Sequence, residues 1–279
     1  MKSYKPTTAS RRHTVTIDYR KLLTADKPLK ALTKGAKRHV GRNNVGRITV
    51  RHKGGGHKRT QRLVDFVYNK FNIPAKIETI EYDPNRSAFI ALVCYNDGER
   101  RYHVIPKGMK VGDRFLVAEN ADLKTGNRLK LKNIPVGTFV YNLEIKPLGG
   151  AKMIRSAGNY AEVMSNDAGY TMVKMPSSEV RKFDENSYAS IGEISNEDHH
   201  LENFGKAGKS RWKGIRPTVR GTAMNPVDHP YGGGEGVQGR GTKRAKSLWG
   251  KPTGGEKTRK PKKYSNYLVV SRRKVGKKK

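Results

Sequence analysis

The stretch 76–105, KIETIEYDPNRSAFIALVCYNDGERRYHVI, decides the fold. Its segments 76–82, 88–95 and 100–105 are rich in Ile, Val, Phe and Tyr, residues that suit a pleated, half-buried surface. Asp83-Pro84-Asn85-Arg86 and Asn96-Asp97-Gly98 connect them. Proline presets φ and glycine accepts φ > 0, so both links reverse the chain. The spacing predicts a three-strand antiparallel meander.

Working towards the C-terminus, Pro106-Lys107-Gly108 and Val111-Gly112-Asp113 punctuate the chain before another strand at 114–118. The first module therefore reads as a small antiparallel barrel or sandwich. After Pro135-Val136-Gly137 a second series of short strands follows at 138–145, 160–165, 170–175, 179–183 and 190–194, separated by Leu148-Gly149-Gly150 and Asn166-Asp167-Ala168-Gly169. A strand about every ten residues is typical of small all-β domains. We place the division between the two modules near 124–136.

Charge separates this centre from its flanks. The chain has 279 residues, 58 Lys and Arg, 24 Asp and Glu, and a net charge of +34. Residues 65–202 hold 18 of the basic and 19 of the acidic residues, so the excess lies outside them. Segment 27–64 has no acid, and 35–62 carries nine Lys or Arg and six glycines. Asn203 to Val227 also lacks acids, and six of the last eight residues are Lys or Arg. Such arms have too little apolar side chain to offset the cost of ordering a backbone, about 1–2 kcal/mol per residue. We expect them to be fixed by a polyanion and largely disordered without it.

Cys94, within an apolar strand, is the only cysteine; no intramolecular disulfide can form, and we read it as an inert core residue in a reduced, intracellular protein. The N-terminal residues 1–12 lack the apolar run of a secretion signal, and the longest apolar run, 88–95, is too short to span a bilayer. The basic arms lack the amphipathic pattern of a membrane-surface helix.

The glycine-rich stretch 47–59 suits close approach of backbone N–H groups to phosphate, with Arg47, Arg51, Lys53, Lys58 and Arg59 supplying charge. Arg42 precedes it, and Asn43 and Asn44 are placed to bond base edges or ribose. Asn203 to Ser210 resembles a Walker A loop but has Asn203 where the first glycine belongs, so it predicts no NTPase. His39, His52 and His57 lie among Lys and Arg, which repel a metal cation. Asp228-His229 has no accompanying nucleophile with a base partner; its segment, 225–234, reads as a turn-rich RNA contact. Trp212 lies between Arg211 and Lys213 and Trp249 two residues before Lys251; both suit stacking on bases or ribose, or packing against a nearby loop.

At GRNNVGRITVRHKGGGHKR (41–59), EYDPNRSAFIAL (81–92), PKGMKVGD (106–113), NIPVGTFVYNLE (133–144) and GKAGKSRWKGIRPTVRGTAMNPVDHPYGGGEG (205–236) the sequence resembles the bacterial form of large-subunit ribosomal protein two. The segments run in order over most of the chain, and the last is long and specific. The resemblance implies an all-β fold, an OB-fold barrel followed by an SH3-like barrel, with long irregular basic extensions. We divide the chain into a basic extension (1–64), an OB-fold RNA-binding domain (65–125), an SH3-like barrel (126–202) and a second basic extension (203–279). The implied function is primary binding of large-subunit rRNA in support of subunit assembly, subunit association, tRNA binding and the peptidyl transferase region. The catalysis belongs to the RNA. Implied partners are large-subunit rRNA, other ribosomal proteins and small-subunit rRNA at a subunit bridge, in the cytoplasmic ribosome, with no membrane and no homo-oligomer. No cofactor is implied beyond structural Mg²⁺ bound to the rRNA.

The family's glycine-rich RNA-contacting motif falls on Arg51, His52, Lys53, Gly54, Gly55, Gly56, His57, Lys58 and Arg59. To it we add Arg42, Asn43, Asn44, Arg47 and Arg86, together with Lys206, Lys209, Ser210, Arg211, Trp212, Lys213, Arg216 and Arg220. The loop nearest the peptidyl transferase centre falls on Met224, Asn225, Pro226, Asp228, His229, Tyr231, Gly232, Gly233 and Gly234. Tyr231 stands where the family commonly has a second histidine; it keeps a planar group and loses the imidazole. Two other readings share parts of this pattern. A general nucleic-acid chaperone would have the charge without the ordered motifs, and an RNA-acting enzyme would centre on Asp228 and His229.

Overall fold

The computed structural model describes residues 1–35, 39–236, 239–254 and 258–273. Its described residues fall into two compact units. The first comprises the described residues within 1–35, 58–206 and 267–273; the second comprises those within 39–57 and 207–266.

Within the first unit, the N-terminal segment pairs β1 (Lys2–Ser3) with β2 (Val15–Thr16), with helix α1 (Ala9–Arg12) between them. The Thr8 side chain caps α1 by accepting from the Arg11 N–H. Ile17, Tyr19 and Leu23, around helix α2 (Tyr19–Leu22), pack on the first barrel's core. Strand β3 (Thr33–Gly35) pairs with β4 (Thr60–Arg62). None of these short elements carries a run long enough to read from sequence.

The meander then appears as β5 (Ala75–Glu81), β6 (Ile90–Tyr95) and β7 (Arg100–Val104), joined by β8 (Arg114–Phe115) in the sheet order β7-β6-β5-β8. The predicted strand at 88–95 begins two residues later and that at 114–118 is shorter. The chain continues past β8 to Val117, which bridges Arg128 in parallel, while Val64 bridges Tyr102 beside β7. Ile77, Val93, Tyr95, Phe115 and Val117 fill the interior. Each fully buried aliphatic side chain contributes roughly 1.5–3 kcal/mol.

The second barrel comprises β9 (Arg128–Lys130), β10 (Phe139–Tyr141), β11 (Leu143–Glu144), β12 (Ala151–Met153), β13 (Ala161–Asp167), β14 (Tyr170–Lys174), β15 (Val180–Asp184) and β16 (Tyr188–Ile191), with β17 (Val269–Ser271) joining from far along the chain. Seven of these form one antiparallel sheet in the order β17-β15-β14-β13-β10-β16-β9, and β11 pairs with β12. Leu129, Leu131, Val140, Val163, Val173 and Ile194 form its core. The chain is thus all-β at its centre, an OB-fold barrel followed by an SH3-like barrel. Three sequence expectations change here. Strand 190–194 lies earlier, at Tyr188–Ile191, and β9 and β12 were not foreseen. The single strand expected at 138–145 is two, because Asn142 breaks it at φ 48.

That break serves the packing between the barrels. Asn142 Nδ2 donates to the Tyr68 hydroxyl at 2.8 Å, and its carbonyl accepts from Arg128 Nη1 at 2.6 Å. Arg128 is 1% exposed and pairs at 2.8 Å with Glu144, 2% exposed. Its guanidinium also lies over the Tyr68 ring at 4.4 Å. Glu144 accepts further N–H bonds from Leu148 and Tyr188, so the buried charges are mutually compensated.

Candidate nucleic-acid interface

In the second unit a basic hairpin and the chain around a basic helix are joined chiefly by backbone hydrogen bonds. Gly41 starts the hairpin; its carbonyl accepts from the N–H groups of Thr49 and Val50. Asn43 closes the tip, its Oδ1 accepting from Val45 N–H at 3.1 Å and Arg47 N–H at 2.9 Å. This is an Asx turn. The side chain expected to read RNA is therefore engaged in shaping its own loop, whereas Asn44 is exposed. Arg42 Nη1 donates to the Gly46 carbonyl at 2.8 Å.

Helix α3 (Ala207–Trp212) lies in the former Walker-like segment, where the sequence reading placed only an arm. Its end turns through Gly214, and the chain then runs beside the glycine triplet. Gly54 N–H donates to the Gly214 carbonyl, His57 N–H to the Trp212 carbonyl and Arg216 N–H to the His52 carbonyl, all at 3.0–3.1 Å. Lys53 bridges Ile215. Gly56 is required: a Cβ there would sit 2.7 Å from both the Gly214 nitrogen and the Trp212 oxygen, and its φ is +81. The His57 and Trp212 rings meet edge to face at 6.3 Å. Gly54 and Gly214 are the only buried residues described in this unit. Arg51, Lys53, Arg211, Arg216 and Arg220 are exposed, and Lys209, Ser210 and Lys213 are half-buried.

The loop at 224–234 closes on itself. The Asn225 carbonyl accepts from Asp228 and His229 N–H, the His229 carbonyl from Gly232 N–H, and the Met224 carbonyl from Gly233 N–H. A Cβ at Gly232 would overlap the Asn225 carbonyl, and one at Gly233 would lie 2.8 Å from Pro226. Gly234, also at positive φ, is exposed. The closure pushes the tip outward, leaving Val227 92% exposed. His229 packs its ring over Gly221 and accepts at Nδ1 from Tyr231 N–H at 3.0 Å. Its ring lies 4.9 Å from that of Tyr231. The Tyr231 hydroxyl accepts from Lys246 N–H, and this bond holds its pKa below the ordinary value. Asp228 is exposed, and no hydrogen bond between it and His229 occurs among the described residues.

Four site residues named from sequence belong to the first unit. Lys58 is exposed, Arg59 donates to the Pro84 carbonyl at 2.9 Å, and Lys206 is exposed at the junction of the chain segments. Arg86 pairs with the buried Asp83 at 2.6 Å and lies 5.4 Å from the Phe66 ring. Arg155, which no sequence signal singled out, stands 4.4 Å from the same ring, so two guanidiniums gather about Phe66. Three aromatics of the basic C-terminal segment, Trp249, Tyr264 and Tyr267, are at least 74% exposed. Aromatic residues interleaved with Lys and Arg are the signal for them.

Among the described residues no cluster of three His, Cys, Asp or Glu side chains has metal-holding geometry, and no helix is long and apolar enough to cross a membrane. An exposed cationic surface shaped by backbone hydrogen bonds fits a polyanion whose own folding supplies the complementary shape. Comparison with known families gives two matches. The model described as Ribosomal Proteins L2, RNA binding N-terminal domain, matches residues 29–117, and that described as Ribosomal Proteins L2, C-terminal domain, matches residues 124–250.

Proposed function

The chain belongs to the ribosomal protein L2 family, and on that premise we propose that it is a structural constituent of the large ribosomal subunit, a primary binder of its rRNA. The observation that carries this reading is the glycine-joined basic unit, whose cations face outward while its backbone groups satisfy one another. Arg42, Arg47, Arg51, Lys53, Arg211, Arg216 and Arg220 neutralise phosphates; Trp212 and His57 offer rings beside them. Arg86 and Arg155 are further cations for RNA on the barrel unit.

The domains run 1–64, 65–125, 126–202 and 203–279, with the two extensions ordered by rRNA. In the subunit the protein supports assembly, association with the small subunit, tRNA binding and the peptidyl transferase region. It contacts other ribosomal proteins and, at a bridge, small-subunit rRNA. It acts as a monomer in the cytoplasmic ribosome, and the Mg²⁺ near it belongs to the RNA. The outward tip at 226–228 reaches towards the RNA catalytic centre as a structural support. The acceptor role of His229 Nδ1 towards its own loop favours that role over proton transfer.

Binding to a large-subunit rRNA fragment, against a random duplex of equal length, tests the reading over a salt series. With about ten phosphate contacts the log-affinity should fall with log salt at a slope of about −7 to −9. The rRNA fragment should be preferred at every salt concentration; indifference between the two RNAs would overturn the reading. Ribosomes carrying His229→Ala should retain the chemical step, with any defect lying in assembly. Loss of several orders of magnitude in that step would favour a catalytic protein.

A further inference from the structure

We propose that the basic unit contains a site for one nucleotide turned out of the bound RNA, an inference that deepens the rRNA-binding reading and rests on it. Beside Gly54 and Gly55 lies a cavity of about 240 Å³. Arg42, Lys53 and Arg216 line it, with no carboxylate among the lining residues. Three cations around one small space repel one another until an anion enters, which suits a phosphate. The remaining side chains are aliphatic, Val40 and Ile48. Phosphate alone does not explain them; a flat base face does, since it covers apolar surface that Ile48 leaves 58% exposed.

The glycines separate internal packing from room for a ligand. A Cβ on Gly56 would collide with the backbone of Trp212 and Gly214, whereas one on Gly55 would meet no protein atom within 4 Å. The space at Gly55 is open to an occupant. Val40 is held at φ 45, which a β-branched residue rarely adopts, and strain of this kind collects at ligand clamps. The cavity is smaller than the roughly 300–1,000 Å³ of pockets for drug-sized molecules, so it takes one base with its phosphate and excludes a duplex. Unpaired loops and bulges of folded RNA supply such nucleotides.

The test compares two carboxylates on one hairpin. Ile48→Glu places a negative charge in the cavity; Val45→Glu places the same charge on the exposed tip, outside it. The full-length protein is titrated against a large-subunit rRNA fragment, and the RNA backbone is probed chemically, nucleotide by nucleotide. Ile48→Glu should bind at least about tenfold more weakly than Val45→Glu, the loss of one stacked base. One unpaired nucleotide whose reactivity the unaltered protein changes should revert to its free value with Ile48→Glu and with Arg216→Gln, and keep the bound value with Val45→Glu. Equal losses from both glutamates, with no single nucleotide released, would overturn the nucleotide site and leave rRNA binding standing. Failure of the unaltered protein to prefer the rRNA fragment would remove the underlying reading instead.

Discussion

The barrels and the basic unit stabilise themselves by opposite means. In the barrels, apolar side chains fill the interiors, and of the charged side chains buried there Arg128 and Glu144 are matched by each other and by backbone groups. In the basic unit only two glycines are buried among the described residues, and its segments are held by peptide-to-peptide bonds across Gly54 and Gly214. A chain can thus leave most cationic side chains of a region turned to a ligand, provided glycine lets the backbone hold itself. The difference also predicts where damage will show: in melting for the barrels, in RNA affinity for the basic unit.

The largest effect should come from the Arg128–Glu144 pair. Arg128→Met leaves Glu144 as an uncompensated buried charge and should cost about 3–5 kcal/mol of unfolding free energy in denaturant titration. Replacing both with Met and Leu should recover most of the loss. Recovery would identify compensation of charge, rather than the pair's attraction, as what the barrels need. If Arg128→Met left the melting unchanged, the contrast between the regions would fail.

A second effect depends on pH. His103 is buried in the first barrel, its Nε2 2.9 Å from the Tyr95 hydroxyl, and burial pushes its pKa down to about 4 from 6.5. The unfolded chain takes up a proton below 6.5 that the folded chain refuses until about pH 4. The contribution of His103 to stability is therefore complete above pH 6.5 and is lost as pH falls through that window, at up to about 1.4 kcal/mol per pH unit. His103→Phe should flatten this slope, read from denaturant midpoints at pH 7, 6, 5 and 4.

The smallest effect on global stability should come from Gly56→Ala. Its methyl meets backbone at 2.7 Å and its φ is positive, so the local cost is about 1–3 kcal/mol. The barrels' melting should stay unchanged while RNA affinity falls. A drop in barrel stability instead would mean that the two regions share one folding transition.

How much of this was legible follows the same division. The strands around 76–105 were readable because β-formers alternate with turn chemistry that works locally. Asn142 was hidden inside an apparent strand because its left-handed backbone depends on Tyr68 and Arg128, distant in sequence. The cationic site was legible by composition, yet its architecture was not: hydrogen bonds between peptide groups leave no side-chain signature beyond glycine. Helix α3 is six residues long and lacks an apolar stripe, so nothing in its periodicity marked it. Arg155 was missed because its neighbour on Phe66, Arg86, lies far away in the chain.

Strand β17 closes the edge of a sheet whose other six strands end at Ile191, and the whole of 207–266 is made between them. During synthesis, β15 must emerge and wait with its outer hydrogen-bonding groups unpaired until Val269–Ser271 is translated. A waiting edge of this kind recruits other chains. The order of the coding sequence therefore makes this sheet the last part of the molecule to be sealed.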